Sequence, residues 1–211
     1  MPSRKRILIT AGPTREMLDP VRFISNLSTG EMGYAIAKVA HARRHPVTLI
    51  SGPTALQRPP GIKFVPIVTA SELKKACGRA FARHDVLIMV AAVCDFTAAK
   101  MQKHKIRRIK TKQIRLQRTP DIIAELAKRK GKRRVIGFCL ETRDWLGNAR
   151  KKLAQKNLDG IVASYYGKGA VPFGAGRMTA AFVDPKGGVY KVKNKPKRQV
   201  ARALLDWIEA L

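Results

Sequence analysis

The residues best suited to chemistry lie in loops that follow short apolar runs. Ile7-Leu8-Ile9 leads into Thr10-Ala11-Gly12-Pro13-Thr14-Arg15, and a second polar stretch, Asn26-Leu27-Ser28-Thr29-Gly30, precedes an amphipathic run. Glycines and hydroxyls beside a helix start suit a phosphate site, because a helix N-terminus presents unpaired N–H groups and the positive end of its dipole. Gly12, Thr14, Arg15, Ser28, Thr29 and Gly30 are therefore candidates for holding a phosphorylated substrate. The stretch lacks both G-x-G-x-x-G and G-x-x-x-x-G-K-[ST], so a long structured loop is the competing reading.

Other candidates are scattered. The apolar run from Val86 passes through Met89, Val90, Ala91 and Ala92 and stops at Asp95. Backbone at such a strand end suits reading a base edge, and a carboxylate there serves ribose, base or metal, or caps a turn. Taken alone, Asn26 reads as a turn cap, Lys105 as solvent-facing, Phe138 as core, and Lys152 and Lys156, four apart on one helix face, as solvated surface.

Positioning these residues requires strands that end at one rim. Arg6–Thr10, Val47–Ser51, Ile62–Val68, Val86–Ala92, Val135–Leu140 and Gly160–Ala163 read as strands. Between them, helices are expected from about Thr29 to Ala42, along the stripe Leu73, Ala76, Cys77, Ala80 and Phe81, from Thr119-Pro120-Asp121, and over Trp145–Gln155. At Thr119-Pro120-Asp121 the threonine can cap, the proline fits the first helical position and the aspartate favours the helix dipole. Alternation of this kind implies an α/β fold with a doubly wound, mainly parallel, Rossmann-like sheet and helices on both faces. A Gly-rich loop (167–176), strands at Thr179–Val183 and Val189–Val192, and a helix with Val200, Leu204, Trp207, Ile208 and Leu211 on one stripe complete the chain. Ala11–Ser28 reads as a long polar loop, and residues 97–118 as a mobile basic flap leaving the core.

At 211 residues a single domain, 1–211, is the default. No apolar run approaches the roughly 20 residues of a membrane span, and the first one is too short for a signal-peptide core. The three cysteines, Cys77, Cys94 and Cys139, sit in or beside apolar runs, as reduced buried thiols of a cytoplasmic protein do. With 43 Lys+Arg against 14 Asp+Glu the net charge is +29, which favours anionic partners and permits non-specific nucleic-acid binding. The cations are spread along the chain, the pattern of a solvated basic surface.

The stretch ITAGPTREMLDPVRFISNLSTGEMGYAIA, from Ile9, resembles the opening signature of the phosphopantothenoylcysteine synthetase family, which in many bacteria is fused behind a flavin-dependent decarboxylase. The likeness continues through AAVCDF at 91–96, KI at 105–106, PDII at 120–123, GFCLET at 137–142 and KNLD at 156–159. It implies a ligase that joins cysteine to 4′-phosphopantothenate in coenzyme A biosynthesis. The substrate carboxylate attacks the α-phosphate of CTP, releasing pyrophosphate, and cysteine then displaces CMP from the acyl cytidylate. It also implies Mg²⁺ with the nucleotide, CTP over ATP, a homodimer, a separate decarboxylase, and no flavin in this chain.

By the same resemblance Asn26 serves the acyl-nucleotide stage and Lys105 closes over the triphosphate from the flap. Met89, Val90, Ala91, Asp95, Pro120, Asp121, Ile122, Ile123, Phe138, Lys152 and Lys156 hold the nucleotide, and Ala92 joins the candidates for binding the phosphorylated substrate. The chain departs from the family pattern at Glu31, where lysine is common, at Thr119, at Cys139-Leu140 and at Ser164-Tyr165-Tyr166. Three other readings compete: a basic nucleic-acid-binding protein, a nicotinamide-dependent oxidoreductase lacking its glycine fingerprint, and a synthetase-like protein with lost or altered activity.

Overall fold

The computed structural model describes residues 4–108, 113–167, 173–174 and 176–211. Its centre is an eight-stranded sheet. Strands β1 (Ile7–Ala11), β4 (Val47–Ser51), β5 (Lys63–Pro66), β6 (Val86–Met89), β9 (Arg134–Glu141) and β10 (Gly160–Tyr165) run parallel. Two antiparallel strands, β11 (Arg177–Val183) and β12 (Val189–Pro196), extend it beyond β10. The spatial order is β12-β11-β10-β9-β6-β1-β4-β5. The expected doubly wound, mainly parallel sheet is thus the observed one.

Every residue of β1 is buried, with Ile7 and Ile9 in one hydrophobic layer and Leu8 in the other. Apolar residues at successive positions are what a central parallel strand covered on both faces needs. Helices α1 (Glu31–Ala42) and α5 (Lys197–Ala210) cover the first face through Ile36, Val39, Val200 and Leu204. On the second face, α2 (Ala70–Phe81), α3 (Ile122–Ala127) and α4 (Trp145–Gln155) supply Leu73, Phe81, Leu126 and Leu153. Helix α1 lies close against β1 because Gly33 faces Ala11: a Cβ on Gly33 would fall 2.5 Å from the Ala11 Cβ. Gly30 caps this helix at φ 82, a left-handed conformation that glycine adopts without cost. No helix among the described residues is long and apolar enough to cross a membrane. All three cysteines are buried and outside any disulfide, as expected.

Several expected boundaries move, each for a local reason. The stretch read as a polar loop holds an antiparallel hairpin, β2 (Arg15–Met17) and β3 (Phe23–Ser25), whose short strands leave little periodicity to read. The excursion at 97–118 begins and ends as a second ribbon, β7 (Phe96–Ala98) paired with β8 (Leu116–Arg118), and residues 109–112 within it lie outside the described residues. The run from Val86 to Ala92 is strand only to Met89, because the Thr10 hydroxyl takes the N–H groups of Val90 and Ala91 at 3.2 and 3.1 Å and turns the chain out of the sheet. Helix α1 starts at Glu31 rather than Thr29. The cap of α3 is Asp121, whose Oδ1 accepts the Ala124 N–H at 3.2 Å, while the Thr119 hydroxyl donates instead to the Cys94 carbonyl. Such a cap contributes about 1 kcal/mol. Most of the expected Gly-rich loop, 168–172 and 175, falls outside the described residues. The edge strand β12 carries exposed lysines at 191, 193 and 195.

Candidate active site

The order of strands reverses around β1, with β4 on one side and β6 on the other, so the loops leaving their carboxyl ends diverge. Crevices of this kind are where open α/β sheets bind ligands. Here a cleft of about 850 Å³ opens between the loops after β1, β6 and β9 and the start of α3. A smaller inner pocket of about 170 Å³ runs to the start of α1, sharing Ala91, Ala92, Phe138, Cys139, Leu140 and Phe173 with the cleft. The larger volume is that of a small-molecule site, roughly 300–1,000 Å³.

One wall is knotted together by hydrogen bonds between distant loops. Besides the two bonds to Thr10, the Ala92 N–H donates to the Gly12 carbonyl at 3.0 Å. The Thr14 N–H donates to the Ala92 carbonyl at 3.1 Å. The Thr14 hydroxyl, fully buried, accepts the Cys94 N–H at 3.0 Å. Asn26 closes the knot, its Nδ2 donating to the Ala92 carbonyl at 3.0 Å. The reverse amide orientation would set two acceptors against each other, so this bond fixes Nδ2 inward. Oδ1 then has no protein partner among the described residues and is left as an acceptor at the cleft. The amides of Val90, Ala91 and Ala92 are all spent internally, so they are not the groups that would read a base edge.

The opposite wall is built by charge pairs. Lys152 Nζ lies 2.6 Å from Glu141 Oε1, and Lys156 Nζ lies 2.9 Å from Asp121 Oδ2, tying the last turn of α4 to β9 and to the cap of α3. Burial alone would lower the Lys152 pKa, but the bond to Glu141 outweighs it and holds the ammonium above its ordinary value. Cys139, in the wall of both pockets, is pushed up to about 11 by burial, so it stays a thiol near neutrality and is no nucleophile there. Asp95 is exposed and in no ion pair among the described residues. Among the described residues no group of three or more His, Cys, Asp or Glu converges to hold a metal by itself. A lone carboxylate suits Mg²⁺ arriving with a polyphosphate, since that cation keeps several waters and takes only one or two carboxylates besides phosphate oxygens.

The cleft therefore brings together Asn26, Met89, Ala91, Ala92, Asp95, Pro120, Asp121, Ile122, Ile123, Phe138, Lys152 and Lys156, while Val90, Ser28, Thr29 and Gly30 line the inner pocket. Four expected residues line neither. Gly12 and Thr14 belong to the knot, and Arg15 stacks over the Phe23 ring at 4.6 Å. Lys105 is exposed on the excursion, next to Ile106, whose N–H donates to Asp19 Oδ2 at 3.1 Å. Asp19, with a fully buried side chain, also accepts the amides of Val21 and Arg22 and pairs with the Arg22 guanidinium at 2.9 Å. Sequence reasoning missed Arg118 and Tyr166 in the cleft and Lys197 in the inner pocket. Arg118 could have been found as the cation just before Thr119-Pro120, whereas nothing near Lys197 sets it apart from its basic neighbours.

Sheet order, reversal point and crevice define an open α/β protein with a small-molecule site at the carboxyl ends of its strands. Comparison with known proteins narrows this class. The family model for the DNA/pantothenate metabolism flavoprotein C-terminal domain matches residues 3–211, and the chain belongs to that family. It is 40% identical over 209 residues to the coenzyme A biosynthesis bifunctional protein CoaBC of Bacillus subtilis (strain 168), covering 98% of this chain and 52% of that protein. The chain thus spans about half the length of that relative. The crystal structure of the C-terminal domain of a coenzyme A biosynthesis bifunctional protein CoaBC superposes with a TM-score of 0.83 at 38% identity, covering 98% of this chain and 94% of that one. A Cab2 H337A variant in complex with phosphopantothenate-cysteine shares the fold, with a TM-score of 0.78 at 17% identity over 97% of this chain and 86% of that one.

Proposed function

We propose that this chain is the phosphopantothenate–cysteine ligase of coenzyme A biosynthesis, using CTP. The observation that carries this reading is that residues far apart in sequence, Asn26, Met89, Ala91, Ala92, Pro120–Ile123, Phe138, Lys152 and Lys156, share one cleft at the switch point. Its relatives' roles in coenzyme A biosynthesis, and the phosphopantothenate-cysteine bound by Cab2, support the same reaction class.

In the first step the carboxylate of 4′-phosphopantothenate attacks the α-phosphorus of CTP and pyrophosphate leaves. The triphosphate's negative charge is met by Lys152 and Lys156 on the cleft wall and by Lys105 from the excursion beside it. Mg²⁺ bound to the triphosphate would meet Asp95 and neutralise phosphate oxygens. In the second step the cysteine amine attacks the acyl carbonyl and CMP leaves. Asn26 Oδ1, held outward by the bond from Nδ2 to Ala92, accepts a hydrogen bond from that amine and orients it.

These 211 residues work as one catalytic unit in the cytoplasm and pair with a second copy of the same chain. Dimerisation is supported by the two ribbons, which pack against each other and expose Val21, Phe23, Leu27, Phe96 and Leu116. Apolar side chains gathered on short exposed strands are what a partner surface covers. Phe23→Asp is expected to shift the sedimentation coefficient to that of a monomer. Nucleic acid binds only through surface charge, with an affinity that falls steeply with salt.

The decisive experiment incubates the protein with 4′-phosphopantothenate, cysteine, Mg²⁺ and each nucleoside triphosphate in turn. Pyrophosphate release that requires phosphopantothenate, and CMP release that requires cysteine, are expected. No turnover with any nucleotide would leave a synthetase-like protein without the activity.

A further inference from the structure

The inner pocket contains a charge pair that the reaction above does not use. Lys197 opens α5, Glu31 opens α1, and Nζ lies 3.0 Å from Oε2. Among the described residues lining this pocket, these two alone carry full charges. The Lys197 side chain is 9% exposed and that of Glu31 is 21% exposed. Withdrawing an ammonium from water is costly and is only partly offset by one carboxylate, so a lysine placed here is not explained as surface solvation.

The pair's surroundings resemble a cradle for an oxyanion. The same pocket is lined by Ser28 and Thr29 and by the start of α1, a helix of 12 residues. Lys197 Nζ donates also to the carbonyl of Gly174, whose own N–H donates to Thr29 Oγ1 at 3.4 Å. An ammonium has three hydrogens. Glu31 and Gly174 account for two of them among the described residues, and one donor remains. Glu31 also resolves a departure from the family pattern: an anion near a presumed anion site is neutralised by a cation from the far end of the chain.

We propose that Lys197 is a phosphate-recognition residue of the ligase, with Glu31 as the counter-ion that holds the ammonium in the pocket until a phosphate group arrives. The proposal rests on the ligase reading and assigns it one more binding residue. A phosphate oxygen is the ligand, and it has two sources: the polyphosphate of the nucleotide and the phosphomonoester of 4′-phosphopantothenate. Lys197 acts on binding rather than on the reacting atoms, so KM moves and kcat does not.

Three full-length variants test this: Lys197→Met, Glu31→Gln, and the two combined. Binding of CTP with Mg²⁺ and of 4′-phosphopantothenate is measured separately by calorimetry, without turnover, and KM and kcat are measured for all three substrates. Lys197→Met is expected to weaken one phosphorylated substrate by about tenfold or more, the loss of one charge-assisted hydrogen bond, while KM for cysteine stays constant. The weakened substrate identifies the source of the phosphate. Glu31→Gln is expected to tighten the same substrate by releasing the ammonium. The double variant leaves no uncompensated charge, melts like wild type and keeps the weakened binding, which excludes unfolding as the cause. Wild-type affinity of the double variant for both phosphorylated substrates overturns the proposal, as does an equal rise in KM for cysteine. Failure of the wild-type protein to turn over would instead remove the ligase reading, and the calorimetric comparison separates the two outcomes.

Discussion

The knotted wall of the cleft and the excursion that leaves its rim are held in different ways. On the inner side, the loop after β6 is tied to Thr10, Gly12, Thr14 and Asn26 by at least six hydrogen bonds, two between backbones and four through the side chains of Thr10, Thr14 and Asn26. On the outer side, the excursion carrying Lys105 meets the β2–β3 hairpin through one buried carboxylate, Asp19, together with Arg22 and a bond from the Gln102 N–H to the Leu18 carbonyl. A wall fixed by many hydrogen bonds between distant loops keeps its geometry before substrate binds, whereas the neighbourhood of Lys105, held among the described residues by few bonds, is freer to shift. Under the proposed function, the contrast would separate groups that orient the reacting atoms from groups that arrive with the substrate.

The strongest way to break this contrast is Asn26→Ala. Removing the orienting amide from the rigid wall should leave pyrophosphate release largely intact and slow product formation by about 10²- to 10³-fold, the usual scale for one preorganised polar group. Rapid-quench measurement of both steps checks it, and equal loss in both would show that the wall does not divide the work this way. Next comes Lys105→Ala, expected to lower kcat/KM for the nucleotide by about tenfold or more with little change in folding stability. Steady-state kinetics indistinguishable from wild type would take Lys105 out of the site.

Thr14→Val sharpens the same contrast through stability. It leaves the buried Cys94 N–H without its acceptor, at a cost of about 1–3 kcal/mol, read from the urea midpoint. An unchanged midpoint would mean that the knot is looser than its hydrogen bonds suggest. The smallest effect is expected at Asp19. Burial would raise its pKa, but the amides of Ile106, Val21 and Arg22 and the Arg22 guanidinium outweigh this and bring it down to about 2. Because the folded value is depressed, the stabilisation is complete above the unfolded value of roughly 3.9 and is lost as pH falls toward about 2. Asp19→Asn should flatten the stability curve only within that acid window. Parallel curves for variant and wild type would show that Asp19 is not the mooring.

The parts of this molecule legible in the sequence are those with long-range regularity. Short continuous apolar runs such as Ile7-Leu8-Ile9 and Val86–Met89, bounded by polar and turn residues, read as central strands, and Trp145–Gln155 reads as a helix. The ribbons β2–β3 and β7–β8 escaped because three-residue strands carry almost no alternation and are defined by their pairing partner. Most of the cleft was reached through the resemblance to a known family's motifs, since Phe138 and Lys152 look like ordinary core and surface on their own. What spacing could not supply was the division of labour among neighbours. Thr14 and Asn26 both sit in the matched signature, yet one hydroxyl is consumed in the knot while the other side chain keeps an oxygen for the cleft. Lys197 was out of reach for a different reason, because its meaning depends on Glu31, 166 positions away.

The lysines along β12 bear on the charge that composition alone left unexplained. An outermost strand offers unpaired N–H and C=O groups that a second sheet could join, and long ammonium side chains at 191, 193 and 195 make that approach repulsive. Some of the cationic excess is thereby a guard against unwanted fibre-like stacking. Its cost is a surface that attracts polyanions in a crowded cell.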